Sequence, residues 1–242
     1  MIVSWFSAGA SSAVATKLAL QSGEAVRIIY IHIDDQHEDT MRFLRECQDW
    51  FGVTIEILHS RYGSVENACR AASFLNSPHG AACTTRLKKH VRKQWEREHA
   101  GGEPLTYVWG MDVNEAGRRE RLIDSNPDQQ HTFPLIDNGI TKESAHGMLA
   151  AAGIARPKMY DLGYPNNNCI GCLKGGMGYW NKVRSDFPEV FASRARLERM
   201  IGASVLKQYY LDELPLDAGK ECKIVVPDCG LFCELPSQEV AA

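Results

Sequence analysis

Apolar residues fall along this chain in short unbroken runs, separated by longer stretches where they recur every three or four positions. The first run, residues 3–6, stops at Ser7-Ala8-Gly9-Ala10-Ser11-Ser12, and a helical spacing then carries to about residue 21. Residues 26–33 form a β-branched run ending at Asp34-Asp35. A helix over about 38–51 follows, with Met41, Leu44, Cys47 and Phe51 on one face. Residues 53–58 read as a third strand and 105–109 as a fourth. Helices are predicted over 64–75, with Val65, Ala68, Cys69 and Ala72 inward, and over 84–99. Beyond them the pattern predicts a short strand over 133–136, a helix over 141–152 opened by Thr141 and Glu143, and a helix over 179–191. Strands alternating with helices imply an α/β fold: a doubly wound, mostly parallel sheet of about five strands with helices on both faces. Ligands of such sheets sit beyond the carboxyl ends of the strands. Segments 7–12, 34–40 and 110–121 all follow strands, so they are expected to meet at one rim. Pro165 and the three asparagines after it mark a turn, and a small C-terminal helical module containing cysteines follows, giving units 1–160 and 161–242.

Composition narrows the chemistry. The net charge is −3, without the overall basic balance of many nucleic-acid binders. No apolar run approaches the roughly 20 residues of a membrane span, and no basic segment leads into an apolar one at the start. Cytoplasmic residence and no membrane partner are the expectation. In a reducing compartment, eight cysteines are metal-binding or catalytic rather than a disulfide frame.

Gly9 allows positive φ or close backbone approach, and the hydroxyls of Ser7, Ser11 and Ser12 share the space where a helix starts with unpaired N–H groups. That is either an anion site or a serine-capped turn. Asp34 and Thr40 sit where a carboxylate and a hydroxyl meet a ribose or adenine, or where a helix is capped. Within 84–99, Arg86 and Lys88 are candidates to face phosphate or sulfate, and the remaining basic residues read as a solvated face. Gly110 follows the fourth strand; Arg118 and Arg121, three apart, share a helix face. Cys169-Ile170-Gly171-Cys172 is a redox dithiol, half a zinc site or part of an iron–sulfur site. Gly175-Gly176-Met177-Gly178 is an anion approach or a tight bend. Cys47 and Cys69 fall on apolar faces and read as buried and inert. Cys229 and Cys233, four apart, suit a nucleophile with a resolving partner, or Cys233 completes a metal site.

These segments together resemble the phosphoadenosine phosphosulfate reductase family of the adenine nucleotide α-hydrolase superfamily. Ser7-Ala8-Gly9-Ala10-Ser11-Ser12 is similar to its SGGxDS pyrophosphate loop, with Ala8 for the first glycine and Ser11 for the aspartate. Asp34 and Thr40 match its DTG…ET segment, Cys83 and Arg86 its CCxxRK segment, and Cys229-Gly230-Leu231 its ECGLH tail. The resemblance implies an adenine nucleotide ligand (ATP, adenylylsulfate or phosphoadenylylsulfate), bound by Ser7, Gly9, Ser11, Ser12, Asp34, Thr40, Arg86, Gly110, Arg118 and Arg121. It implies a metal centre on Cys83, Cys169 and Cys172, a 4Fe–4S cluster or else zinc, and catalysis by Cys229 with Cys233. The implied activity is sulfonucleotide reduction with an external thiol reductant. An ATP-dependent thiolation or desulfuration enzyme, which would admit a nucleic acid partner, and a non-catalytic zinc-stabilised nucleotide-binding protein are the alternatives.

Overall fold

The computed structural model describes residues 1–77, 80–220 and 225–226. The first apolar run is strand β1 (Ile2–Trp5), followed by α1 (Ala10–Gln21), β2 (Val26–His32), α2 (Thr40–Phe51), β3 (Ile55–His59) and α3 (Val65–Ala72). A short antiparallel pair, β4 (Asn76–Ser77) and β5 (Gly80–Ala81), leads into a π-helical segment (Thr84–Lys89) that runs directly into α4 (His90–His99). Then come β6 (Thr106–Val108), α5 (Ala116–Asp124), β7 (Gln130–Thr132), α6 (Pro134–Asp137), α7 (Lys142–Ala151) and α8 (Lys158–Asp161). Finally α9 (Met177–Asp186) and α10 (Pro188–Ile201) close the helical part.

The main sheet has five strands, all parallel, in the order β3-β2-β1-β6-β7. Ile2 lies opposite Val26 on one side and Thr106 on the other, so β1 is central. The chain builds outward from β1 to β3, then returns to place β6 on the other side of β1. That reversal parts the loops leaving β1 and β6 and opens a crevice at the strands' carboxyl ends. The period-two alternation of the strands sorts the core. Val3, Ile29 and Tyr107 face α4 and its Trp95, while Ile28, Tyr30 and Val108 face α1, α2 and α7 through Val14, Phe43 and Leu149.

A third apolar cluster joins the early and late parts of the chain. Cys69, Leu75 and Leu87 pack with Leu173, Trp180, Val183 and Phe191 from beyond residue 161. One ion pair is buried beside this cluster: Asp35, just past β2, accepts the N–H of Val65 at the start of α3 (2.6 Å) and pairs with Arg194 of α10. The Arg194 side chain is 4% exposed.

Three expectations are corrected. The last strand is Gln130–Thr132, not 133–136; its polar sequence suits an edge of the sheet, and Pro134 opens the helical turn α6 instead. The single helix expected over 179–191 is two, because Pro188 starts a new one after Phe187. The helix expected over 84–99 begins as a π-helix, in which the His90 N–H bonds to the Thr85 carbonyl.

Candidate functional site

The turn after β1 is strained at one residue, and not at the one its sequence suggests. Gly9 is extended (φ −104°, ψ 160°) and is the N-cap of α1. The positive φ belongs to Ala8 (55°), which is fully buried. Gly9 is held small by its surroundings: a Cβ there would lie 3.3 Å from the Tyr160 hydroxyl. The Ser12 hydroxyl is the hub of the turn. It receives the Ser7 hydroxyl (3.0 Å) and the N–H groups of Ser7 and Gly9 (3.3 Å each), and donates to the Gly9 carbonyl (3.0 Å). Ser11 is half-buried and has no hydrogen-bond partner among the described residues, so its hydroxyl is available to a ligand. Replacing Ala8 by glycine removes the left-handed penalty of about 1 kcal/mol on an L-residue. Thermal unfolding of Ala8→Gly is therefore expected about 2–4 °C higher; an unchanged or lower midpoint would show that the turn is unstrained.

The turn is braced from far along the chain. The Tyr160 hydroxyl accepts the Ala10 N–H (3.3 Å) and the Asn167 N–H, and the Asn167 side chain donates to the Ala8 carbonyl (2.7 Å). Thr40, 2% exposed, receives the same Asn167 amide (3.4 Å), so it stands behind the turn rather than at the rim. Gly110 lies across α1's first turn, where a Cβ would come within 2.7 Å of the Ser12 Cα. Its smallness lets the loop after β6 touch the turn.

Beside the turn, a cavity of about 180 Å³ opens at the ends of β1, β2 and β6. Trp5, Tyr30 and Trp109 supply aromatic faces, Ser7 and Gln36 polar groups, and Lys88, Lys89 and Arg92 positive charge. An aromatic slot with cations at its mouth suits a planar base joined to an anion. Tyr30 donates to Gln36, and burial pushes its hydroxyl pKa up, so it stays a neutral donor. The Asp34 side chain is 60% exposed at the rim, 3.7 Å from His32. Arg86 turns the other way: it donates to the Tyr62 hydroxyl (2.6 Å) and the Ala71 carbonyl (3.0 Å). Arg118 pairs with Glu115 (2.6 Å), and both it and Arg121 are exposed and outside the cavity lining, while Arg119 lies over the Phe133 ring.

A second cavity, about 130 Å³, is lined by Cys83, Cys169 and Cys172 together with Lys88, Lys174 and Thr84. The cysteine turn is shaped by Gly171, which has φ 70° and no room for a Cβ against Val190. The Tyr179 hydroxyl clamps it, accepting the Cys172 N–H (2.8 Å) and donating to the Cys169 carbonyl (3.3 Å). The neighbouring glycines serve packing: a Cβ at Gly175 would strike the Tyr179 ring, and one at Gly178 the Lys220 carbonyl. Burial raises the thiol pKa of Cys83 and pushes that of Cys169 up to about 12, partly offset at Cys169 by Lys88. Cys69 belongs to the same neighbourhood. The Cys83 N–H donates to its sulfur, and burial pushes its thiol up to about 12.

Among the described residues, no three Cys, His, Asp or Glu side chains converge on one metal ion. The three thiols instead ring a cavity that has no carboxylate or imidazole in its lining. Three thiols in one wall are a donor set that suits an iron–sulfur group and zinc alike. Cys229 and Cys233 lie outside the described residues. Lys88 lines both cavities. Trp5, Trp109, Lys89 and Arg92 were not legible as site residues, although an aromatic ending a strand just before a small-residue turn is a usable signal. Tyr160 and Asn167 carry no local signal, because what they contact lies about 150 residues earlier.

Among known families, a model described as phosphoadenosine phosphosulfate reductase domain matches residues 1–175, a span that includes the turn and all three cavity cysteines. No curated protein matches the chain.

Proposed function

Because the chain belongs to the phosphoadenosine phosphosulfate reductase domain family, an enzyme class that binds nucleotides and handles sulfur, we propose that it is a sulfonucleotide reductase holding an adenine nucleotide in the aromatic rim cavity. The observation that carries this reading is Lys88, on the wall of both that cavity and the cysteine cavity. A base seated against Trp5 and Trp109 directs its anionic end toward the free Ser11 hydroxyl, the exposed Ser7 hydroxyl and Lys88. The sulfur of a phosphosulfate then lies on the thiol side of the site.

In the reaction, the Cys229 thiolate attacks that sulfur. The bond from sulfur to the phosphate oxygen breaks, the nucleotide leaves as a phosphate, and a cysteine thiosulfonate remains. A second thiol, from Cys233 or an external dithiol, attacks the cysteine sulfur, forms a disulfide and releases sulfite. Cys83, Cys169 and Cys172 would hold a 4Fe–4S cluster, which would supply positive charge to the site, the two electrons of the reduction coming from the thiols. The chain's own part is to orient the nucleotide, neutralise its charge with Lys88, and keep Tyr30 and Tyr179 protonated as donors.

Anaerobically purified protein is expected to release sulfite from a sulfonucleotide with a dithiol present. Cys229→Ser should stop turnover and leave calorimetric nucleotide affinity unchanged, whereas Trp109→Ala should weaken that affinity at least about tenfold. Iron and sulfide analysis should show loss of both in Cys83→Ser. Pyrophosphate released from ATP without any sulfite would replace the reductase reading with the thiolation alternative.

A further inference from the structure

The basic residues of the π-helix and α4 extend well past the rim cavity. Between residues 84 and 99 there are six lysines and arginines against two glutamates, which leaves −7 for the rest of a chain whose total is −3. Both glutamates are already engaged. Glu96 is held by Arg92 (3.1 Å) and the Tyr107 hydroxyl (2.7 Å), and Glu98 by Gln94 (3.0 Å). Lys88, Lys89, Lys93 and Arg97 are exposed and in no ion pair among the described residues. Lys88 and Lys89 stand at the mouth of the aromatic cavity. His90, Lys93 and Arg97, together with Glu96, line a separate open groove that also takes in Ala100, Gly101 and Gly102.

The spacing matters. Lys89, Lys93 and Arg97 are four apart, so they form a stripe along one side of the helix. At about 1.5 Å per residue the stripe is about 12 Å long. One phosphate or phosphosulfate group seated at the cavity mouth cannot touch both of its ends. A row of anions can, and an aromatic slot at one end of a cationic track is the arrangement that receives single-stranded nucleic acid: a base stacks while the backbone follows the charge.

We propose that this face binds single-stranded nucleic acid, with one terminal base in the rim cavity and the preceding phosphates along Lys89, Lys93 and Arg97. The proposal rests on the reading of the rim cavity as an adenine site and extends its ligand from a mononucleotide to a strand. Lys93 and Arg97 line only the groove, so they separate the two ideas.

Fluorescence anisotropy with a labelled short oligoadenylate, in ribo and deoxy forms, tests it beside calorimetry with adenosine monophosphate. The oligoadenylate is expected to bind at least about tenfold tighter than the mononucleotide, with an affinity that falls with salt at a slope of about −0.7 per phosphate engaged. The double variant Lys93→Glu/Arg97→Glu, its fold checked by circular dichroism, should lose that advantage, flatten the slope by about 1.4, and bind the mononucleotide as before. Equal affinity for oligoadenylate and mononucleotide, or an unchanged double variant, overturns the proposal and leaves the nucleotide reading standing. Inorganic polyphosphate binding as tightly as oligoadenylate also overturns it, because the track would then take any polyanion without a base. If the mononucleotide fails to bind while oligoadenylate binds and the double variant does not, the track stands and the adenine assignment falls.

Discussion

Asp35→Ala is expected to destabilise the protein by about 3–5 kcal/mol, because it leaves a guanidinium buried without its partner. The Arg194 side chain is 4% exposed, its Nε has no partner among the described residues, and Asp35 is its ion-pair partner. The same carboxylate caps α3 through the Val65 N–H, so a capping contribution of about 1 kcal/mol is lost as well. For a chain of this size the combined loss of about 4–6 kcal/mol corresponds to a fall in midpoint of roughly 8–24 °C. The double change Asp35→Leu/Arg194→Met removes both charges and should recover most of the loss. Urea unfolding of the three variants measures this; a single variant within about 1 kcal/mol of the parent would mean that the guanidinium reaches water by another route.

The second large effect is on pH. His146 of α7 is 2% exposed, neither ring nitrogen has a hydrogen-bond partner among the described residues, and its ring meets that of Tyr160 edge-on at 4.4 Å. Burial lowers its pKa to about 4, with help from the nearby positive charges of Arg156 and Lys142 and opposition from Asp161. The unfolded chain takes up this proton near pH 6.5 and the folded chain only near pH 4, so acid favours unfolding. Above pH 6.5 the group contributes no slope. Between pH 6.5 and 4 stability falls by about 3 kcal/mol in all, since each tenfold difference in proton affinity between the two states is worth about 1.4 kcal/mol, and below pH 4 this loss is complete. His146→Phe should flatten that part of a pH series of urea unfolding curves. A slope that survives the substitution would assign it to other groups.

Both effects involve residues whose importance no local pattern announces, and this marks the limit of what was legible. Periodicity recovers β1, β2, α1, α2 and the parallel sheet, because each element's burial is a local repeat. It misplaces β7, whose Gln-His-Thr sequence is that of an edge strand and carries no alternating apolar signal. At the site, the turn at 7–12 and the Cys169–Cys172 pair were legible as spacing and Cys83 only through the family resemblance, but the residue carrying the positive φ was not legible. A glycine such as Gly9 advertises freedom, whereas the strain falls on Ala8 because Asn167 holds the Ala8 carbonyl. Arg86 and Thr40 were legible as residue types suited to a ligand. Their neighbours Tyr62, Ala71 and Asn167 occupy them instead, and which neighbour arrives first is set by tertiary packing. Cys69 reads as inert on its helix, and only the approach of the Cys83 N–H ties it to the other thiols.

The Asn167 side chain grips the Ala8 carbonyl, and two residues later the same strand of chain delivers Cys169 to its cavity. The turn and the cysteine pair are thus joined through one short stretch of chain. Free-energy coupling between two sites joined in this way is reciprocal where it exists. If an occupied turn alters how readily the cysteines accept a ligand or an electrophile, loading those cysteines must alter affinity at the turn by the same factor. Under that condition each site would be a gauge of the other's occupancy.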